Sequence, residues 1–186
     1  MTAYYMVCLD LQSKDCLVVG GGRVATEKAA GLVAVGASVT AVAPEVDDEL
    51  AALPIDLARR PFTASDVVGR FLVIAATNER LVNRRVSSAA RDHNVPCNVA
   101  DDPELCSFIL PAIVREGPIV AGVSTGGSSP ALAQHFRDQI ARLIQPEHAE
   151  LAERLAALRP WAKQHFSTYD ERRKFFQSFV AEALGI

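Results

Sequence analysis

Short apolar runs alternate with longer amphipathic stretches through the first hundred residues of the chain. The apolar runs predict β-strands, because continuous apolar runs are typical of strands covered on both faces. The predicted strands are residues 6–9, 16–19, 38–42, 55–57, 71–75 and 97–99. The predicted helices are residues 24–35, 45–52 and 79–93, with Gly36 ending the first and Asn78 capping the third. This alternation predicts an α/β fold with a Rossmann-type parallel sheet and helices on both faces.

The pattern changes after residue 102. Residues 107–114 and 119–125 are β-rich and flank a turn-like segment, which predicts a β-hairpin. Two strands alone are marginally stable, so we expect the hairpin to pack on another element or on a second subunit. Ser129 and Pro130 have the residue types of a helix N-cap and first helical position, which predicts a helix to about Leu143. Beyond Pro146 the apolar spacing is helical. The predicted parts are therefore residues 1–102, 103–145 and 146–186.

A glycine-rich segment joins the second predicted strand to the first predicted helix. Read from Gly20 it is G-x-G-x-x-A, the pattern typical of dinucleotide-binding loops. Gly20 would make the tight turn, Gly22 would let the backbone approach a pyrophosphate, and Ala25 would let the helix pack closely on the strand. The phosphates would lie on the N–H groups at the positive end of the helix. A purely structural turn is the alternative.

Two further strand ends supply candidate cofactor-binding residues. Pro44 and Glu45 follow the strand at 38–42, where an acidic side chain commonly binds a ribose hydroxyl. The lack of Arg or Lys at this strand end favours NAD over NADP. Thr77 and Asn78 follow the strand at 71–75, where small residues would leave room for a ribose. A plain strand-to-helix turn is an equally good interpretation of those two residues.

Polar segments later in the chain are candidates for substrate binding and catalysis. Asp101 and Asp102 end the last parallel strand, at the edge of the sheet where ligands bind in open α/β folds. Taken by themselves, adjacent acidic residues before a proline favour a solvated turn. A second glycine-rich turn has backbone N–H groups that could bind an anion, with helix capping as the alternative. Its candidate residues are Ser124, Thr125, Gly126 and Gly127.

Composition narrows the possible classes of function. The 186 residues carry a net charge of −3, so no basic field favours nucleic acid as a partner. We expect no membrane partner, because no segment is long and apolar enough to cross a bilayer. The N-terminus has no signal-peptide pattern, which predicts a cytoplasmic protein. The four cysteines and four histidines lack metal-ligand spacing, so we expect no metal site and reduced, mainly buried thiols.

Taken together, these segments resemble the precorrin-2 dehydrogenase family, whose fold is also the N-terminal module of siroheme synthases. The resemblance extends over nearly the whole chain and rests on motifs in family order and spacing. These motifs are Cys16-Leu17-Val18-Val19-Gly20-Gly21-Gly22-Arg23-Val24-Ala25, Ala75-Ala76-Thr77-Asn78, Cys97-Asn98-Val99-Ala100-Asp101, Ser107-Phe108-Ile109-Leu110-Pro111-Ala112 and Val123-Ser124-Thr125-Gly126-Gly127-Ser128-Ser129-Pro130.

The resemblance implies NAD-dependent oxidation of precorrin-2 to sirohydrochlorin. It also implies an NAD-binding domain over 1–102, a dimerisation region over 103–145, a helical region over 146–186, and a homodimer. The family's cofactor loop falls on Gly20, Gly22, Arg23 and Val24, with Pro44 and Glu45 at the second strand end. Its catalytic aspartate falls on Asp101, which makes Asp101 the catalytic candidate here. A phosphorylatable serine of some relatives corresponds to Thr125.

Two other functions remain open from the sequence. The first is a bifunctional enzyme that also inserts ferrous iron into sirohydrochlorin, with Asp101 removing the pyrrole protons. The second is a sensor that binds NAD or a tetrapyrrole without turning it over. For the dehydrogenase, Asp101 would either accept the proton that accompanies hydride transfer or position the ring nitrogens of the substrate. Arg137 and Arg142 are candidates for binding the substrate's carboxylates.

Overall fold

The chain forms two compact units, Met1–Leu110 and Pro111–Ile186. The computed structural model describes residues 4–185 of this chain. The division into three parts at residues 102 and 145 stays a prediction.

The first unit is built on a five-stranded parallel sheet with the strand order β3-β2-β1-β4-β5. Its strands are β1 (Asp15–Val19), β2 (Ser38–Val42), β3 (Asp56–Ala58), β4 (Leu72–Ala75) and β5 (Cys97–Val99). Its helices are α1 (Arg23–Val33), α2 (Asp48–Ala51) and α3 (Arg80–Asp92), with short 3-10 helices at Ala64–Val67 and Pro103–Leu105. The strand order reverses direction between β1 and β4, where doubly wound sheets form their ligand crevice. The predicted α/β fold is therefore confirmed.

Alternate side chains of each central strand enter two different hydrophobic cores. In β1, Leu17 belongs to the core that includes Val86 of α3, whereas Val18 belongs to the core that includes Ala29 of α1. Because successive strand residues point to opposite faces, a strand covered on both faces must be apolar throughout. This explains the continuous apolar runs and confirms the helices on both faces.

The second unit contains the hairpin and three helices. Strands β6 (Ala112–Glu116) and β7 (Ile119–Val123) pair antiparallel, and α4 (Pro130–Leu143) packs against both of them. Helices α5 (Pro146–His165) and α6 (Tyr169–Leu184) follow. The predicted hairpin and the predicted helix after Ser129 are confirmed, and the Ser129 hydroxyl caps α4 by accepting a hydrogen bond from the Leu132 N–H. Among residues 4–185, no helix has the length and apolarity that a membrane span requires.

Three predictions about local structure are wrong. Residues 6–9 form no strand; their apolar side chains are largely exposed and no neighbouring strand pairs with them. The helix predicted over 45–52 is confined to Asp48–Ala51, because the chain bends at Pro44 and Glu45 and the Asp47 N–H donates to the Gly21 carbonyl of the glycine loop. Asn78 does not cap α3: the N-cap position is Glu79, and no side chain forms a cap hydrogen bond there. The Thr77 hydroxyl accepts a hydrogen bond from the Glu79 N–H at 3.1 Å in the turn that precedes the helix.

Candidate functional site

The glycine loop between β1 and α1 is fixed by its neighbours at the carboxyl end of the sheet. Gly20 donates its N–H to the Val42 carbonyl at 3.0 Å and has a φ of +136°. A Cβ atom at this position would stand 2.4 Å from the Ala76 carbonyl oxygen. The backbone conformation and the close approach both require glycine here.

Gly21 is packed even more tightly, and the sequence reasoning assigned it no role. A Cβ atom on Gly21 would stand 1.8 Å from the Glu45 carbonyl oxygen. The Gly21 carbonyl also accepts a hydrogen bond from the Asp47 N–H at 2.8 Å. The loop after β1 and the loop after β2 are therefore packed and hydrogen-bonded against each other. The run of three glycines was the signal for this contact, but spacing alone does not show which glycine meets a neighbour.

Gly22 differs from the two glycines before it because it is open. A Cβ atom on Gly22 would meet nothing closer than the Asp47 Oδ2 atom at 3.8 Å. Gly22 is the N-cap of α1 but supplies no side-chain cap, and the first turn carries no acidic residue. Arg23 is exposed and Val24 is half-buried. The N–H groups of this first turn therefore have no side-chain acceptor at the cap, in the place where a helix binds a phosphate group.

This arrangement fits a dinucleotide cofactor by its own geometry. Gly20 and Gly21 bring the loop backbone close to the sheet, while the exposed Gly22 leaves space for a ligand to reach the backbone N–H groups. The helix dipole adds a partial positive charge at the same place.

The loop after β2 brings the Glu45 backbone carbonyl and the Asp47 carboxylate close to the glycine loop. Pro44 and Glu45 are exposed, and Glu45 contacts Gly21 through its backbone carbonyl. Asp47 approaches the open position Gly22 with its carboxylate, whose Oδ2 atom lies 3.8 Å from where a Cβ atom on Gly22 would stand. Sequence reasoning named Glu45 and missed Asp47, because the distance along the chain from the strand end does not show how this loop folds back.

The turn after β4 is held by a buried amide. The Thr77 hydroxyl donates to the Asn83 Oδ1 atom at 2.8 Å, and the Asn83 side-chain N–H donates back to the Thr77 carbonyl at 2.9 Å. Asn83 is buried, and these bonds satisfy its polar atoms. Asn78, the next residue, is exposed. Thr77 is therefore oriented by Asn83, a residue that sequence reasoning did not assign to the site.

Asp101 is exposed beyond the carboxyl end of β5 in a left-handed backbone conformation. Its φ is +60°, a region that residues other than glycine seldom adopt and that Asn and Asp tolerate better than most. The carboxylate of the neighbouring Asp102 accepts a hydrogen bond from Arg80 Nε at 3.2 Å. The two aspartates thus differ: Asp102 is engaged in an ion pair of the turn, whereas Asp101 projects into solvent at the sheet edge where ligands bind.

The turn that carries Asp101 is tied down by the Cys106 thiol. The Cys106 sulfur accepts the Val99 N–H at 3.1 Å, and the Val99 and Asp102 carbonyl oxygens lie 3.3 and 3.4 Å from it. Burial raises the pKa of this thiol, so it stays protonated near neutral pH and can donate to a carbonyl while accepting from Val99. Sequence reasoning took Cys106 as one of four apolar cysteines; its position next to the catalytic candidate is visible only in the fold.

The buried cysteines are poor nucleophiles. Burial raises the pKa of Cys97 to about 12 and that of Cys16 to about 11, so both remain neutral thiols. Within residues 4–185, no three His, Cys, Asp or Glu side chains form a group that could hold a metal ion.

The second glycine-rich turn, between β7 and α4, bonds largely to itself. The Thr125 hydroxyl accepts the Ser129 N–H and donates to the Ser129 carbonyl, both at 3.0 Å. The Ser124 hydroxyl accepts the Gly126 N–H at 3.2 Å. Gly127 has a φ of +83° and open space around its Cβ position. The capping interpretation of this turn is therefore supported, and anion binding by it stays a prediction.

The two arginines that are candidates for binding carboxylates, Arg137 and Arg142, have different surroundings. Arg137 already donates to the carboxylate of Asp138, with its Nε atom at 2.8 Å. Arg142 is exposed. Both arginines lie on α4, which belongs to the second unit together with the second glycine-rich turn. The cofactor-loop residues and Asp101 belong to the first unit.

Two family models match the chain. The model described as "Putative NAD(P)-binding" matches residues 7–112, which include the glycine loop and Asp101. The model described as "Sirohaem biosynthesis protein central" matches residues 122–143, which include the second glycine-rich turn and α4.

Relatives and a solved structure resemble the chain over nearly its whole length. The siroheme synthase of Nitrosomonas eutropha is 40% identical over 182 residues, which cover 95% of this chain and 38% of that protein. The siroheme synthase of Methylobacillus flagellatus is 41% identical, with 96% and 39% covered. The chain thus spans about two fifths of these relatives. The structure titled "SirC, precorrin-2 dehydrogenase" is 24% identical, with a TM-score of 0.82 and 97% of this chain and 92% of that one covered.

Proposed function

The chain belongs to this NAD(P)-binding family, and from that membership we propose that it oxidises precorrin-2 to sirohydrochlorin with NAD. The observation that carries the proposal is that the glycine loop and Asp101 lie at the same end of the sheet. The glycine loop follows β1 and Asp101 follows β5, so a cofactor loop and a free carboxylate stand at the carboxyl ends of the same five parallel strands. The names of the siroheme synthase relatives and of the matched structure support the same reaction.

In the proposal, the first turn of α1 holds the cofactor. Gly20 and Gly22 shape the loop, and the backbone N–H groups of Arg23 and Val24 bind the pyrophosphate. The second-strand loop binds the adenosine ribose through Pro44, Glu45 and Asp47. A carboxylate at this place repels a 2′-phosphate, which favours NAD over NADP. Thr77 and Asn78 border the nicotinamide side.

Asp101 is the proposed proton acceptor. NAD supplies the acceptor for the hydride, and the oxidation also releases one proton from the substrate. A solvent-exposed carboxylate at the sheet edge can accept that proton and release it to water. The Cys106 thiol and the Arg80–Asp102 pair fix the turn on either side of Asp101, which limits its freedom in the reaction complex.

We assign substrate contacts to the turn that contains Ser124, Thr125, Gly126 and Gly127, and a homodimer to the protein as a whole. The hairpin and α4 support the dimer, since they leave several large apolar side chains half-exposed. These are Ile113, Val120, Leu132 and Phe136. A cytoplasmic location is also proposed, because the free thiols suit a reducing compartment.

The test is an assay of the purified chain with precorrin-2 and NAD. The proposal predicts NADH and sirohydrochlorin in equal amounts, and little product when NADP replaces NAD. The double variant Glu45→Gln/Asp47→Asn should form product with NAD and with NADP at more similar rates than the unmodified chain does. Formation of NADH without sirohydrochlorin, or of neither product, would contradict the proposed reaction.

A further inference from the structure

We propose that the groove between α5 and α6 is a second binding site, for a flat macrocycle that carries several carboxylates. The identity of the macrocycle rests on the proposed function, whose substrate and product belong to this chemical class. The groove has a volume of about 670 Å³, which lies within the range of small-molecule sites. It is formed by residues of the second unit, whereas the glycine loop and Asp101 belong to the first.

Four cationic side chains line the groove. Arg159 and Lys163 stand one turn apart on α5, and Arg172 and Arg173 lie in the first two turns of α6. Among residues 4–185, none of the four forms an ion pair with a carboxylate. Their charges are therefore available to an anion, and guanidinium groups can bind carboxylates through two parallel hydrogen bonds.

Local hydrogen bonds keep this end of the groove cationic. The Arg172 Nη1 atom donates to the Phe166 carbonyl at 2.7 Å, which fixes that side chain at the groove. The carboxylate of Glu171, the residue before it, accepts the Thr168 N–H at 3.0 Å and forms the helix cap with it. The neighbouring acid is thus used in the cap, and no carboxylate from the described residues lines the groove.

The floor of the groove is apolar and partly aromatic. Tyr169 and Phe176 lie about two turns apart on the same face of α6, and smaller apolar side chains continue the floor along that helix. Phe176 packs edge-on against Phe175 at a centroid distance of 5.2 Å. A solvated patch for simple anions needs no such floor, whereas a planar ring with carboxylate arms would cover the apolar surface and reach the cations around it.

The experiment measures binding of uroporphyrin, a planar tetrapyrrole with eight carboxylates, without NAD. Binding is read from the fluorescence of the porphyrin and of Trp161, the single tryptophan of the chain. We expect the double variant Arg159→Gln/Arg173→Gln to weaken binding at least about tenfold. Lys174→Gln is the matched control, because Lys174 follows Arg173 in sequence but does not line the groove; its affinity should stay within about twofold of the unmodified chain.

Two further arms separate this inference from the proposed reaction. Asp101→Asn should leave groove binding unchanged, and poly-glutamate of equal charge should displace the porphyrin poorly. Equal loss of binding in the Lys174→Gln control, or displacement by poly-glutamate as effective as by free uroporphyrin, would overturn the site as a macrocycle site. Groove binding without any NADH from precorrin-2 would refute the proposed reaction and leave this inference standing.

Discussion

The Cys106 sulfur lies 3.1 Å from the backbone nitrogen of Val99, two residues before Asp101. Val99 is the last residue of β5, and β4 pairs with β5 from the other side. The thiol thus takes the place of a neighbouring strand at the edge of the sheet. A side chain that satisfies an edge N–H also holds the turn that follows, which is the turn with the strained Asp101 backbone.

Removing the Cys106 thiol should lower both the stability of the fold and the rate of turnover. Cys106→Ala leaves the Val99 N–H without its acceptor, which we expect to lower the free energy of unfolding by about 1–3 kcal/mol in urea titrations. Cys106→Ser retains a donor and an acceptor and should restore most of the loss. The exposed Cys8 provides the control, and Cys8→Ala should change nothing. Equal stability of Cys106→Ala and the unmodified chain would show that the hydrogen bond is unimportant.

Substitution of Gly22, the open glycine of the cofactor loop, should weaken NAD binding without destabilising the fold. Gly22→Ala fits the backbone, with nothing closer than 3.8 Å to the new Cβ, so unfolding should be little changed. NAD affinity measured by calorimetry should fall about tenfold or more, or about 1.4 kcal/mol, because the methyl group occupies the approach to the pyrophosphate.

Gly31 offers a matched control for that substitution. It is an exposed position inside α1 with nothing within 4 Å of its Cβ site. Gly31→Ala should stabilise the protein by about 0.5–1 kcal/mol and leave NAD affinity unchanged. If Gly22→Ala bound NAD as well as Gly31→Ala does, the loop would not be the pyrophosphate site.

The Asp66 carboxylate makes part of the stability pH-dependent. Hydrogen bonds from Arg60, then from the Thr63 N–H and hydroxyl, lower the pKa of Asp66 to about 2. Because the folded pKa lies below the unfolded value of about 4, the stabilisation is complete above about pH 5 and is lost as the pH falls towards 2. Urea titrations should therefore show Asp66→Asn less stable than the unmodified chain at neutral pH, with the difference shrinking in acid. A difference that stayed constant down to about pH 2 would contradict this linkage.

The exposed apolar side chains of the hairpin and α4 should be covered in a dimer. Phe136→Asp replaces one of them with a charge and should shift the protein towards monomers in analytical ultracentrifugation. Leu184→Asp replaces a similarly exposed apolar residue at the end of α6 and should leave the assembly unchanged. A monomeric unmodified chain would remove the dimer from the proposal.

The sequence predicts an element well where one local rule determines it. The central strands are apolar at every position because both faces are covered, and Ser129-Pro130 marks the start of α4 by capping chemistry alone. The prediction fails where the outcome depends on a distant partner. Residues 6–9 are apolar enough for a strand but have no strand beside them.

The candidate site shows the same limit. The pattern G-x-G-x-x-A predicts the loop, but the close contact between Gly21 and Glu45 depends on how the chain after β2 folds back. For the same reason Asn83 and Cys106 could not be found as partners of Thr77 and Val99. Each pair is close in sequence, and its members meet because of how the chain turns after a strand, which residue spacing alone does not determine.

The central claim is that Asp101 and the glycine loop serve one oxidation. Asp101→Asn is the informative substitution, because asparagine tolerates the left-handed backbone at this position while it removes the charge that accepts a proton. Asp101→Gly removes the same carboxylate and the backbone strain as well. If both variants lose activity alike, the carboxylate rather than a strained backbone carries the effect.

The most direct measurement follows NADH and sirohydrochlorin together in single turnovers of precorrin-2 with saturating NAD. We predict equal yields of both products from the unmodified chain. We also predict that Asp101→Asn slows both at least about a hundredfold while NAD affinity is unchanged, in the range typical of a general base. Unchanged turnover in Asp101→Asn, or no NADH from a chain that binds NAD, would contradict the account.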